Sequence, residues 1–127
     1  MKILATEKAP KAIGPYAQGV IENGFLFTSG QVPFDPATGK LVEGGIEASA
    51  ERVFDNLEAI LREAGIGFGD VVKATVYLTR AEDFAPLNAV YARRFGDYRP
   101  ARSTVIVAAL PAGATLEVDL TARVARD

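Results

Sequence analysis

Only two stretches of this 127-residue chain carry the spacing of a helix that lies on a core. They must cover whatever sheet the other residues build. In the first, Ile46, Ala50, Val53, Phe54, Leu57, Ile60, Leu61 and Ala64 recur at intervals of three and four as one apolar stripe. Glu47, Glu51, Arg52, Asp55, Glu58 and Arg62 fall mostly off it, and Gly65 stands where a left-handed C-terminal cap is expected. The second runs near Glu82 to Phe95, with Phe84, Leu87, Tyr91 and Phe95 on one stripe. It ends at Tyr98-Arg99-Pro100, because a residue before proline is pushed out of helical geometry.

The rest reads as strand and turn. Ala17–Glu22 and Phe25–Ser29 flank Asn23-Gly24, a type I′ hairpin signal, since both residues tolerate positive φ. Asp35-Pro36-Ala37-Thr38-Gly39 and Gly44-Gly45 are further turns. Val71–Thr79 alternates, with Val72, Ala74, Val76 and Leu78 on one side. Arg102–Leu110 and Leu116–Ala125 form two last strands around Pro111-Ala112-Gly113. The order βββαβαββ predicts a single domain over residues 1–127 of the α+β class, a mixed α/β layer. A sheet of about six strands would carry both helices on one face.

Two helices dry one face only, so the other must be polar, solvated or covered by another chain. In the last strand Leu116, Val118, Leu120, Ala122 and Val124 alternate with Glu117, Asp119, Thr121 and Arg123. Arg102–Leu110 is instead nearly continuous in apolar residues, the pattern of a strand buried on both faces. A second face partly apolar and partly charged suggests a subunit interface that holds a polar pocket.

Composition narrows the chemistry. With no His and no Cys, the chain builds no disulfide, no Cys/His zinc cage and no Ser-His-Asp triad. Catalysis would fall to carboxylates, Tyr, Arg, hydroxyls and backbone groups. Lys+Arg 14 against Asp+Glu 16, with no basic run, argues against a nucleic-acid footprint. The longest wholly aliphatic run, Val105 to Leu110, is far below the roughly 18 residues needed to span a membrane. A soluble, cytoplasmic protein is expected. Gly65, Gly67 and Gly69 follow a helix and precede a strand, the wrong order for a phosphate-cradling loop.

Several residues invite two readings. Arg102, at the start of a strand, can grip a carboxylate through two parallel hydrogen bonds or simply cap the strand in solvent. Glu117 is either a carboxyl of raised pKa in a poorly solvated pocket or a solvated group on a sheet face. Tyr16, after Gly14-Pro15, either meets a ligand through its hydroxyl or anchors the loop through its ring. Gly30, between Ser29 and Gln31, allows a close backbone approach or marks a bulge. Asn88 either fixes a loop or lines a pocket.

Taken together, short motifs spread over nearly the whole chain resemble the RidA/YjgF family of enamine/imine deaminases. They are Ala12-Ile13-Gly14-Pro15-Tyr16, Thr28-Ser29-Gly30-Gln31-Val32, Asp55-Asn56-Leu57, Gly69-Asp70-Val71-Val72-Lys73, Asp83-Phe84 with Asn88 and Tyr91, Pro100-Ala101-Arg102-Ser103, and Leu110-Pro111 followed by Glu117. The resemblance implies a chorismate-mutase-like subunit, a homotrimer with a central barrel, and three clefts between subunits. It implies hydrolysis of 2-aminoacrylate-type enamines and 2-imino acids, shed by pyridoxal-phosphate dehydratases, to 2-oxo acids and ammonia. No cofactor or metal is implied.

Carried onto this chain, the resemblance makes Arg102 the carboxylate anchor, with Tyr16, Ser29, Gly30, Asn88 and Ser103 shaping the substrate pocket. Glu117 moves protons, and the Thr104 carbonyl helps hold the attacking water. Many relatives carry Cys at the position of Thr104, so any thiol-based switching is in doubt here. The whole reading requires Arg102 and Glu117, fifteen positions apart on neighbouring strands, to converge in one crevice where chains meet. Two other functions compete with it. One is a trimer that binds or senses 2-oxo acids without turnover; the other is RNA cleavage or inhibition of translation.

Overall fold

The computed structural model describes residues 1–124. Lys2–Leu4 (β1), Gly19–Glu22 (β2) and Phe25–Thr28 (β3) precede the helix Gly45–Glu63 (α1). Val71–Leu78 (β4), the helix Phe84–Phe95 (α2), Ala101–Ile106 (β5) and Leu116–Arg123 (β6) complete the expected order. Ala125, the expected last residue of the final strand, lies outside the described residues. The six strands form one sheet in the order β1-β2-β3-β6-β4-β5. Every pairing is antiparallel except β4 with β5, whose parallel connection is made by α2.

Local chemistry sets most boundaries. Asn23 (φ 54°) and Gly24 (φ 84°) both adopt left-handed geometry, giving the hairpin between β2 and β3. Gly65 at φ 77° ends the first helical segment as expected. Along α1, Val53, Phe54, Leu57, Ile60 and Leu61 are wholly buried against Ala74, Val76, Leu78, Leu116, Val118 and Ala122 of the sheet. Leu87, Val90, Tyr91 and Phe95 of α2 join the same core. At about 1.5–3 kcal/mol for each fully buried large aliphatic or Phe side chain, this face supplies the main driving force for folding.

Three details differ from the sequence pattern. Register shifts between Val71 and Lys73, so Val71 takes the inward position and Val72 is left 40% exposed. A bulge inserts one residue and turns the next outward. Phe84 is 40% exposed rather than part of the α2 stripe, because it opens the helix and lies against the Arg102 guanidinium. The largest difference is β5. It ends at Ile106 and forms the sheet edge, with Val105 and Ile106 41% and 52% exposed. An apolar run reports a requirement for burial, not where in the sheet the strand lies.

Candidate functional site

Strand alternation divides the candidate residues between the two sheet faces. Register pairs Arg102 with Ala74 and Thr104 with Val76, both buried under the helices, so Arg102 and Thr104 face the helical side. Glu117 pairs with Tyr77 and Asp119 with Thr75, on the face the helices leave open. β4 also runs between β5 and β6. Arg102 and Glu117 are therefore neither on neighbouring strands nor on the same face within one chain. The period of two fixes faces only within a strand; the register between strands and the strand order, neither of which sequence prints, set the two residues on opposite faces with β4 between them.

Glu117 sits half-buried in a cleft of about 500 Å³ that Lys11, Ile13, Tyr16, Gly30 and Phe34 help to line. Paired hydrogen bonds hold the loop after β3 against β6: Gln31 N–H to the Val118 carbonyl at 2.8 Å, and Val118 N–H to the Gln31 carbonyl at 3.1 Å. They bring Gly30 under the carboxylate so closely that an added Cβ would lie 2.6 Å from Glu117 Cδ. Close approach is thus what the glycine provides. Burial first, and then the Asp119 charge, push the Glu117 pKa above its ordinary value.

The other wall of the cleft is held from behind. Ser29 Oγ donates to the Ala17 carbonyl at 2.6 Å, so its hydroxyl fastens the Tyr16 segment to the end of β3. Tyr16 is half exposed, and its hydroxyl accepts from the Ile13 N–H at 3.3 Å; it closes its loop and lines the cleft as well. Gln18, which sequence reasoning missed, is 5% exposed. Its amide nitrogen donates to the carbonyls of Thr6, Ala9 and Pro10 while its oxygen accepts from Thr6 N–H. The signal available was a polar residue opening an apolar strand, which does not distinguish an anchor from a surface amide.

On the helical side, the Arg102 guanidinium lies 4.7 Å from the Tyr91 ring centroid and 5.7 Å from that of Phe84. Asn88, Tyr91, Arg99 and Arg102 line a pocket of about 310 Å³. Among the described residues, Arg102 has no carboxylate partner within 4.0 Å. Asn88 Oδ1, Tyr91 Oη and Thr104 Oγ1 are buried without a hydrogen-bond partner. Such groups are costly unless something arrives to satisfy them. Ser103 departs from the expected pocket: its Oγ accepts from Lys73 Nζ at 3.1 Å on the open face. No group of three or more acidic residues capable of holding a metal occurs among the described residues, and no helix is long and apolar enough to cross a membrane.

The chain thus presents two half-sites. Tyr16, Gly30 and Glu117 meet on the open face, while Arg102, Asn88 and Thr104 cluster at the β5 edge under α2. The sequence model of the family described as Endoribonuclease L-PSP matches residues 6–124. A bovine (Bos taurus) protein named 2-iminobutanoate/2-iminopropanoate deaminase is 46% identical over 93% of this chain and 86% of its own. A Lactococcus lactis protein named as a regulator, AldR, is 48% identical over 98% of each chain. The crystal structure of E. coli TdcF with bound serine superposes with a TM-score of 0.93, at 41% identity and covering 100% of each chain.

Proposed function

The chain belongs to the Endoribonuclease L-PSP family, which includes the RidA/YjgF proteins, and on that premise we propose that it is an enamine/imine deaminase. It hydrolyses 2-aminoacrylate-type enamines and their 2-imino acid tautomers. The observation that carries this reading is the pair of unmatched half-sites: a cation without a carboxylate at one sheet edge, and a carboxyl of raised pKa in an open-face cleft. One chain cannot apply both to a molecule of a few atoms. Two copies can, and the exposed apolar edge at Val105 and Ile106 gives them a surface on which to meet. A homotrimer, as the family resemblance implies, closes this arrangement three times by symmetry.

Arg102 binds the substrate carboxylate through two parallel hydrogen bonds, its guanidinium seated over the Tyr91 ring. Asn88 lines the approach, with Tyr16 and the Ser29-Gly30 segment shaping the facing wall. Protonated Glu117 gives its proton to the enamine methylene carbon, producing the iminium. As carboxylate it then takes a proton from water, whose oxygen bonds to C2 while the Thr104 carbonyl holds the water in place. Glu117 passes that proton to nitrogen and takes the C2 hydroxyl proton as the C–N bond breaks and the C=O bond forms; it ends protonated as it began, and enamine plus water yields 2-oxo acid plus ammonia. Such imines hydrolyse unaided, and the ~10²–10⁴-fold typical of general acid–base catalysis suffices without a cofactor.

The test is the decay of freshly generated 2-aminoacrylate. Purified protein accelerates it; Arg102→Ala abolishes the acceleration, and Glu117→Gln lowers turnover more than ligand affinity. Co-refolding the two variants restores part of the activity, since some sites then draw an intact Arg102 and an intact Glu117 from different chains. Undiminished turnover in Glu117→Gln would favour a 2-oxo acid sensor, the reading that the regulator-named relative supports. RNA cleavage fits less well, because Arg93 and Arg94 are already bonded to Glu51 and Asp55. RNA cleavage lost in Arg102→Ala would overturn that judgement.

A further inference from the structure

Beside Glu117 lies a group the mechanism above does not use. Asp119 follows two positions later on β6 and faces the same way, its Cα about 7 Å from that of Glu117 along the strand. Tyr77, on β4 directly opposite Glu117, reaches diagonally past it and donates its hydroxyl proton to Asp119 Oδ2 at 3.1 Å. Lys73, on the same face of β4, lies on the Asp119 side and also bonds Ser103. The Glu117 side chain makes no hydrogen bond or ion pair among the described residues, and Gly30 beneath it offers no side chain as a partner. The remaining ionisable groups around the cleft are Tyr16 and Lys11 from the loop before β2.

We infer that Asp119, held by Tyr77, is a positioning residue whose negative charge makes Glu117 the member of the carboxyl pair that keeps its proton. The inference deepens the deaminase reading and rests on it. Two carboxylates on one half-buried strand face resist ionising together, and their protons leave in steps belonging to the pair. The group with the better-stabilised anion ionises first. Asp119 has a hydrogen-bond donor in Tyr77 and a cation in Lys73; Glu117 has neither. Once ionised, Asp119 opposes ionisation of Glu117. A proton is thereby retained on the carboxyl that must deliver one to carbon, with no histidine in the chain to do so.

The experiment follows the carboxyl carbons of ¹³C-glutamate- and ¹³C-aspartate-labelled protein through a pH titration by NMR, alongside kcat/KM against pH. In Asp119→Asn the Glu117 midpoint falls, and the limb of the profile that reports Glu117 moves to lower pH with KM little changed. Asp119→Glu restores both. In Tyr77→Phe the lost donor raises the Asp119 midpoint toward that of Glu117; this variant serves if Asp119→Asn does not fold. An unchanged Glu117 midpoint in folded Asp119→Asn, or an unchanged Asp119 midpoint in folded Tyr77→Phe, would overturn the inference. Its failure is separable from that of the deaminase reading: the midpoints are read without substrate, whereas that reading fails if Glu117→Gln turns over normally.

Discussion

The seam between the two helices and the open face of the sheet both collect carboxylates, and the chain treats them in opposite ways. On the seam, Arg94 is bonded to Glu51 and Asp55 at 2.8 Å each, and Arg93 to Glu51 at 2.7 Å. The Arg94 guanidinium also lies within 6.0 Å of the Phe54 and Phe68 ring centroids. The hydrogen bond from Arg93 leads the causes that hold Glu51 below its ordinary pKa. On the open face, Glu117 and Asp119 have their pKa values raised, burial being the first cause for each. The same functional group is a clasp where cations bond it directly and a liability where burial outweighs its partners.

Breaking the clasp is expected to have the largest effect on stability. Arg94→Ala removes three charge-assisted hydrogen bonds, to Glu51 Oε1, the Glu51 carbonyl and Asp55 Oδ1, and a guanidinium beside two rings, a loss of roughly 1–3 kcal/mol in chemical denaturation. An unchanged midpoint would mean the seam is only a solvated surface. Asp119→Asn reverses the sign. A carboxyl whose folded pKa lies above its unfolded value stabilises in acid and loses that contribution as pH rises through the folded value. At pH 7 this variant should therefore match or exceed the parent, by less than about 1 kcal/mol after solvent screening, with the gain vanishing below the ordinary Asp value of 3.8. The smallest effect is acid sensitivity at Glu51. Its folded pKa lies below 4.5, so its contribution is present above that pH and is lost as pH falls through the folded value. Glu51→Gln should flatten that part of the stability–pH curve, and an equally steep curve would assign the acid loss elsewhere.

The two regions also differed in how far the sequence could be read. The α1 stripe, the Asn23-Gly24 hairpin, the Gly65 cap and the β6 alternation all appear as expected. Each follows from a repeat or a glycine preference acting over a few residues. Glu117 in a half-buried pocket was likewise one of the two readings its alternation allowed. The bulge at Val72, the exposed β5 edge and the Gln18 anchor were hidden, because each depends on a partner far away in the chain. Tyr91 was legible as a member of the α2 stripe and of the family motifs; its place under the Arg102 guanidinium came from the packing of α2 on β5.

What the residues determined alone is the set of elements, their order and the core faces. Those follow from periods of 3.6 and 2 and from local turn chemistry, which need no knowledge of the rest of the molecule. Tertiary structure decided that β4 lies between the strands of Arg102 and Glu117 and that the two side chains point to opposite faces of the sheet. Strand order is settled by which edges pair and which faces are dried across the whole chain, and no local pattern encodes that balance.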